Sequence, residues 1–177
     1  MRLEATDIPD VMLLHTEMLH DARGYFSEMY SRRILPVDFV QQNESSSVYG
    51  VLRGLHYQKP PYAQSKLVRC LEGRILDVAV DIRRGSAYFG RSVCVELSSE
   101  NRFQLFIPKG FAHGFSVLSP KAVVQYMCDE FYHPEAEAGI NPLDPSLGVD
   151  WGLPENGIIL KEKDRMWPLL PDSDIVF

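Results

Sequence analysis

Cysteine is scarce. Only Cys70, Cys94 and Cys128 occur in 177 residues, and no two stand as a CxxC pair. That excludes a disulfide framework and a cysteine-based zinc site. Each lies in an apolar stretch and is expected to be a buried, reduced thiol, because free cysteine packs as a small hydrophobe. No apolar run is long enough to cross a bilayer. The opening residues Met1-Arg2-Leu3-Glu4-Ala5-Thr6-Asp7 lack the apolar core of a signal peptide, so a cytoplasmic location and no membrane partner are expected. No basic block interrupts a formal net charge of -6, which argues against nucleic acid as a partner. A local cationic pocket for a small anion is compatible with that charge. There is no internal repeat, low-complexity tract or linker-like shift in composition. The expectation is one domain over residues 1–177, with 45% hydrophobic residues to build its core.

Helical periodicity is also scarce. Short helices are expected only at Ser31 to Leu35, stopped by Pro36, and at Ile158 to Arg165. The Pro-, Gly- and Asp-rich segment from Pro134 to Asp150 reads as a long loop. The dominant signal is alternation over short runs, which predicts strands. In one run Leu76, Val78, Val80 and Ile82 share a face. Val93, Val95 and Leu97 share another, opposite Cys94 and Glu96. Val124, Tyr126 and Cys128 alternate with Val123, Gln125 and Met127. Turn signals at Glu72-Gly73, Arg84-Gly85-Ser86, Pro108-Lys109-Gly110 and Ser119-Pro120 punctuate these runs. Many short strands between Gly/Pro turns imply an all-β sandwich or barrel.

Three clusters could carry chemistry. In Gly50-Val51-Leu52-Arg53-Gly54-Leu55-His56-Tyr57-Gln58, Arg53 and His56 interrupt an apolar strand. Strict alternation puts them on opposite faces, whereas a bulge at Gly54 would bring both to one cavity. A strand histidine is also commonly a hydrogen-bonded structural residue. In Gln64-Ser65-Lys66-Leu67-Val68-Arg69-Cys70, Lys66 shares a face with Val68 and Cys70. It either meets an anion or reaches solvent from the strand end. In Ile107-Pro108-Lys109-Gly110-Phe111-Ala112-His113-Gly114-Phe115, a Pro-x-Gly turn precedes His113, similar to the second half of a cupin motif. Metal-binding cupins resemble one another in supplying two His and a Glu from the first motif. Here that motif offers only His56, with Gln58 in the other histidine's place. The expectation is therefore a site with no metal and no cofactor, which leaves a histidine free to act as a base.

Taken in order, the motifs resemble the dTDP-4-dehydrorhamnose 3,5-epimerase family. They are His20-Asp21-Ala22-Arg23-Gly24-Tyr25-Phe26-Ser27-Glu28, Gln41-Gln42-Asn43, Leu52 to Gln58, Gln64 to Arg69, Pro108 to Phe115 and Lys163-Asp164. They span about His20 to Leu170. The resemblance implies a cupin-like antiparallel jelly roll, a homodimer with shared active sites, and a dTDP-sugar substrate, dTDP-4-dehydro-6-deoxy-D-glucose. It implies inversion of carbons 3 and 5, whose hydrogens are acidified by the ketone at carbon 4.

By the same resemblance His56 is the base and Asp164 its orienting partner. Lys66 is the cation for the enolate oxygen, and Tyr126 the acid on the opposite face. Arg53, His113, Tyr132, Glu137 and Lys163 contact the sugar or diphosphate. Arg23, Phe26, Glu28, Gln41 and Asn43 hold the nucleotide, partly from the neighbouring subunit. Read without the resemblance, Tyr126 is a core residue, Arg23 and Glu28 are solvated charges, and no spacing rule joins Asp164 to His56. Trp151 and Trp167 read as packing residues. The alternatives are a single-position epimerase, a non-catalytic nucleotide-sugar-binding cupin, and a metal-dependent cupin.

Overall fold

The alternating runs become strands, all of residues 1–177 being described by a computed structural model. One sheet contains β1 (Arg2–Ala5), β2 (Met12–His15), β5 (Gln41–Val48), β7 (Lys66–Glu72), β10 (Gln104–Ile107) and β12 (Lys121–Cys128). Its order is β1-β2-β10-β7-β12-β5. The second contains β6 (Val51–Gln58), β8 (Arg74–Asp81), β9 (Ser92–Ser98), β11 (Phe111–Val117) and β13 (Glu137–Gly139), in the order β13-β6-β11-β8-β9. β14 (Ile159–Leu160) joins β6 in parallel. β3 (Leu19–Asp21) and β4 (Gly24–Phe26) pair only with each other. Every pairing except β14 with β6 is antiparallel, and the two large sheets stack as a cupin-like jelly roll.

The inner faces of both sheets meet in one core. Val68, Cys70, Leu105, Ala122 and Val124 come from the first sheet, and Ile75, Ala79, Val93, Leu97, Phe111, Phe115 and Val117 from the second. The face bearing Val78, Val80 and Ile82 is the outer one. It is buried as well, under Ile140, Leu147, Trp151, Leu170 and Ile175 of the C-terminal segment. β8 is thus buried on both sides, and its Asp77 and Asp81 are fully buried with it.

The structure corrects several expectations. Ser31 to Leu35 makes a single turn, with Leu35 N–H bonded to Ser31 O at 3.0 Å, and no helix. Pro36 ends it, and Leu35 is drawn into a small cluster with Leu14 and Leu67. The stretch from Ile158 to Arg165 splits into β14 and a one-turn helix, α1 (Glu162–Arg165), because Ile159 and Leu160 satisfy their backbone on β6. The segment from Pro134 to Asp150 contains β13 and two 3-10 turns. Cys94 is exposed, while Cys70 and Cys128 are buried; the outer face of β9 at Cys94 and Glu96 is left uncovered. No helix is long and apolar enough to cross a membrane.

Candidate active site

β6 carries the first two site residues, and its backbone decides where they point. Phe115 pairs with Arg53 and His113 with His56, so two residues of β6, Gly54 and Leu55, oppose Gly114 alone on β11. This is a β-bulge, centred on Gly54 at φ +129, a region L side chains avoid. Leu52 and Leu55 consequently share the outer core although three positions apart. Arg53 and His56 both line one cavity of about 680 Å³. The close approach of β11 explains the glycine: a Cβ on Gly54 would lie 2.6 Å from Gly114 Cα.

Asp164 arrives by another route. In the parallel pairing Ile159 stands beside Val51. Asp164 lies five residues past Ile159, as His56 lies five past Val51. α1 sets the carboxylate against the imidazole, with Asp164 Oδ1 2.7 Å from His56 Nε2. Asp164 is 4% exposed. Burial pushes its carboxyl pKa up, but hydrogen bonds from His56 and the Gly54 backbone outweigh that and hold it below the ordinary range.

The facing wall comes from the other sheet. Lys66 opens β7, Tyr126 lies on β12, and Gln41 and Asn43 lie on β5; all line the cavity. No carboxylate lies within ion-pair distance of Lys66. Its ammonium stands 6.0 Å from the Tyr126 ring centroid. Burial lowers the Lys66 pKa, opposed by its electrostatic interactions with Cys128, Asp77 and Glu137. Burial raises that of Tyr126, so the phenol stays protonated at neutral pH.

His113 lines the cavity from β11, with Nε2 2.8 Å from Asp77 Oδ1. Burial lowers its pKa, opposed by Asp77. At the mouth Glu137 accepts hydrogen bonds from Tyr132 and Lys163. Arg53 Nε donates to Ser47 Oγ at 3.0 Å. Arg53, Lys66, Lys161 and Lys163 face only Glu137 and Asp164 as carboxylates in the lining. The cavity is therefore cationic in a chain of formal net charge -6, a setting for a polyanionic ligand.

Eleven of the fourteen expected site residues line this cavity: Gln41, Asn43, Arg53, His56, Lys66, His113, Tyr126, Tyr132, Glu137, Lys163 and Asp164. Arg23, Phe26 and Glu28 do not. Arg23 lies in the β3–β4 turn, paired with Asp21, and its side chain is 89% exposed. Phe26 is 69% exposed on β4. Glu28 follows the hairpin and is exposed.

Sequence reasoning missed Ser45, which continues the Gln41, Asn43 face at period two and whose buried hydroxyl has no partner in the chain. It also missed Lys161, which no spacing signalled. Gln58, in the place of a cupin metal ligand, is spent on scaffold: it donates to Tyr62 O and Phe131 O and accepts from His133 N–H. No three His, Cys, Asp or Glu side chains converge as a metal-ligand set. Trp151 packs in the outer core with Nε1 donating to Pro142 O.

Comparison with known proteins assigns this arrangement to a family. The dTDP-4-dehydrorhamnose 3,5-epimerase family model matches residues 5–172. The curated dTDP-4-dehydrorhamnose 3,5-epimerase of Escherichia coli K12 is 48% identical, over 93% of this chain and 92% of that protein. The crystal structure of the enzyme of that name from Elizabethkingia anophelis NUHP1 superposes with a TM-score of 0.95. It is 46% identical and covers 98% of each chain. A dTDP-6-deoxy-D-glucose-3,5-epimerase from Legionella pneumophila, in complex with dTDP-4-keto-L-rhamnose, gives a TM-score of 0.92. It is 46% identical over 98% of this chain and 94% of that one. With sequence, fold and cavity in agreement, the chain belongs to the dTDP-4-dehydrorhamnose 3,5-epimerase family.

Proposed function

We propose that this enzyme converts dTDP-4-dehydro-6-deoxy-D-glucose to dTDP-4-dehydro-L-rhamnose by inverting carbons 3 and 5, residues 1–177 acting as one domain. The observation that carries the mechanism is the placement of His56 and Tyr126 on opposing sheets across one cavity. His56 takes the proton from a carbon beside the ketone, and the C–H electron pair moves onto the carbonyl oxygen as an enolate. Asp164 fixes the ring tautomer and balances the imidazolium, as carboxylates do in other His–Asp pairs. Lys66 stabilises the enolate oxygen, where charge develops only as the barrier is climbed. Tyr126 donates a proton to the other face of the planar enolate, which inverts the carbon. The same set serves each carbon in turn, once the imidazolium has released its proton to solvent and the Tyr126 phenolate has regained one from it. Arg53, His113, Tyr132, Glu137 and Lys163 hold the sugar and diphosphate, and Gln41 and Asn43 the nucleotide. Neither a metal nor a cofactor takes part.

Arg23, Phe26 and Glu28 complete the nucleotide grip in a second copy of the chain. The exposure of Arg23 and Phe26 on a hairpin outside the cavity, with Glu28 exposed just beyond it, supports a homodimer with shared sites. Three unpaired cysteines fit a cytoplasmic setting.

Proton NMR in deuterium oxide tests the reaction. The parent should incorporate one deuterium at carbon 3 and one at carbon 5. Tyr126→Phe keeps the base and the ring, so it should exchange substrate hydrogen with solvent faster than it inverts the carbon. Deuterium at one carbon only, in the parent, would refute the double inversion. Inversion by Tyr126→Phe at the parental rate would remove Tyr126 from the acid role.

A further inference from the structure

The β3–β4 hairpin pairs over only three positions and joins no other sheet. An isolated two-stranded hairpin is marginal in water, and all six of its strand residues are exposed. Inside it, the turn is tied by Asp21 to Arg23. Its base is tied by Ser27 Oγ donating to Glu17 O at 2.8 Å. Only one side-chain hydrogen bond reaches either strand from elsewhere: Arg102 donates through Nη1 to Tyr25 Oη at 2.5 Å. The guanidinium also lies over the Tyr25 ring, 4.3 Å from its centroid, a cation–π contact.

Arg102 is an unusual residue at an unusual place. It sits in the β9–β10 turn at φ +54, the only non-glycine residue with positive φ. Glycine adopts that conformation without cost, and an arginine does not. A rigid mount holds it there. Asn101 Oδ1 accepts from Ser98 N–H and Phe103 N–H, and Arg102 N–H bonds to Ser98 O, each at 3.0 Å. The Arg102 carbonyl accepts from Thr16 Oγ1 at 3.3 Å, at the root of the hairpin. One residue thus grips the hairpin at its root and on its second strand. An arginine in a left-handed conformation that glycine adopts freely points to a use for its side chain.

We propose that Arg102 is a positioning residue, which holds the β3–β4 hairpin in the pose that delivers Arg23 and Phe26 to the nucleotide in a second copy's cavity. This rests on the shared-site reading above. Arg102 touches no substrate; it acts through Tyr25, removing the ordering cost that a loose arm would add to each binding event.

Arg102→Gly is the test, because glycine relieves the backbone, keeps the carbonyl that accepts from Thr16, and removes only the side-chain grip on Tyr25. The dimer should persist by sedimentation, and thermal stability should not fall. KM for the dTDP-sugar should rise about tenfold, the scale of losing one charge-assisted hydrogen bond, while kcat stays within about twofold. Tyr25→Leu should do the same, and the double variant should be no worse than either single one, since both remove one contact. Arg23→Ala/Phe26→Ala is run beside them. If that variant raises KM and Arg102→Gly does not, Arg102 is no latch and the shared site stands. If the Arg23/Phe26 variant leaves KM unchanged, the shared site fails and the latch with it. Loss of the dimer, or a fall in kcat matching the rise in KM, in Arg102→Gly would also overturn the proposal.

Discussion

Gly54→Ala perturbs the backbone feature on which the cavity depends. A Cβ there would stand 2.6 Å from Gly114 Cα and 2.9 Å from His113 O, both backbone atoms that no rotamer change can move. The φ of +129 is strained for any L side chain, about 1–3 kcal/mol. Overpacking a tight backbone crossing adds roughly 1–3 kcal/mol. The expected loss is thus about 2–6 kcal/mol, a large share of the ~5–15 kcal/mol of a typical domain. The chain can escape by abandoning the bulge, but then strict alternation returns and His56 exchanges faces with Leu55. Denaturant midpoints should show the destabilisation, and activity per folded molecule should fall beyond it as His56 leaves the cavity. Gly114→Ala, whose Cβ would meet Arg53 O at 2.5 Å, should behave alike. A Gly54→Ala protein within ~0.5 kcal/mol of the parent, the range of an inconsequential surface change, and fully active would refute the assignment of the bulge as the device that gathers Arg53 and His56.

Asp164→Asn should cut kcat by about 10²–10⁴ with little change in substrate Kd, checked by single-turnover kinetics and dTDP titration. Because burial lowers the Lys66 pKa, the ammonium should be lost below the ordinary lysine value of about 10.4; kcat should fall on that alkaline limb, and Lys66→Arg should shift the limb upward. Burial also depresses the His113 pKa in the folded state. Its stability contribution is complete above about 6.5 and is lost as pH falls through the depressed folded value. Urea midpoints measured from neutral to acidic pH should drop less in His113→Gln than in the parent. Exhaustive chelation should leave the rate unchanged, and loss of activity restored by one divalent metal would refute the metal-free mechanism.

Much of the fold was legible because the alternating runs are local signals. Leu76, Val78, Val80 and Ile82 do share a face, and Val124, Tyr126 and Cys128 another. What alternation could not reveal is burial of both faces. The second face of β8 carries Asp77 and Asp81, which look solvated in sequence yet are fully buried. They are tolerated because Asp77 meets His113 and Asp81 meets Arg83 and Ser86, partners from a neighbouring strand and the following turn. Helix was overread at Ile158 to Arg165 for a related reason. A four-residue turn and a two-residue strand together mimic one short helical period, and only the pairing with Val51 and Leu52 separates them.

The site divides along the same line between local and long-range information. Gly54 between Arg53 and His56 carried the bulge in plain view, since a glycine inside an apolar strand is a recognisable break in pattern. Ser45 was equally readable, two positions beyond Asn43. The His56–Asp164 contact was not. It depends on a parallel pairing of two residues, Ile159 with Val51 and Leu160 with Leu52, followed by one helical turn. No composition or period marks so short a pairing, so only resemblance to the family pointed to it. Arg23, Phe26 and Glu28 lie a step further out, exposed and away from the cavity that the other expected site residues line. Arg23 and Phe26 ride on a hairpin that the body of the chain grips through Arg102, a residue in a left-handed turn. Arg102 belongs to none of the motifs that carry the resemblance. The grip that aims the hairpin lies 77 positions from Tyr25 along the chain, and only the folded geometry brings the two together.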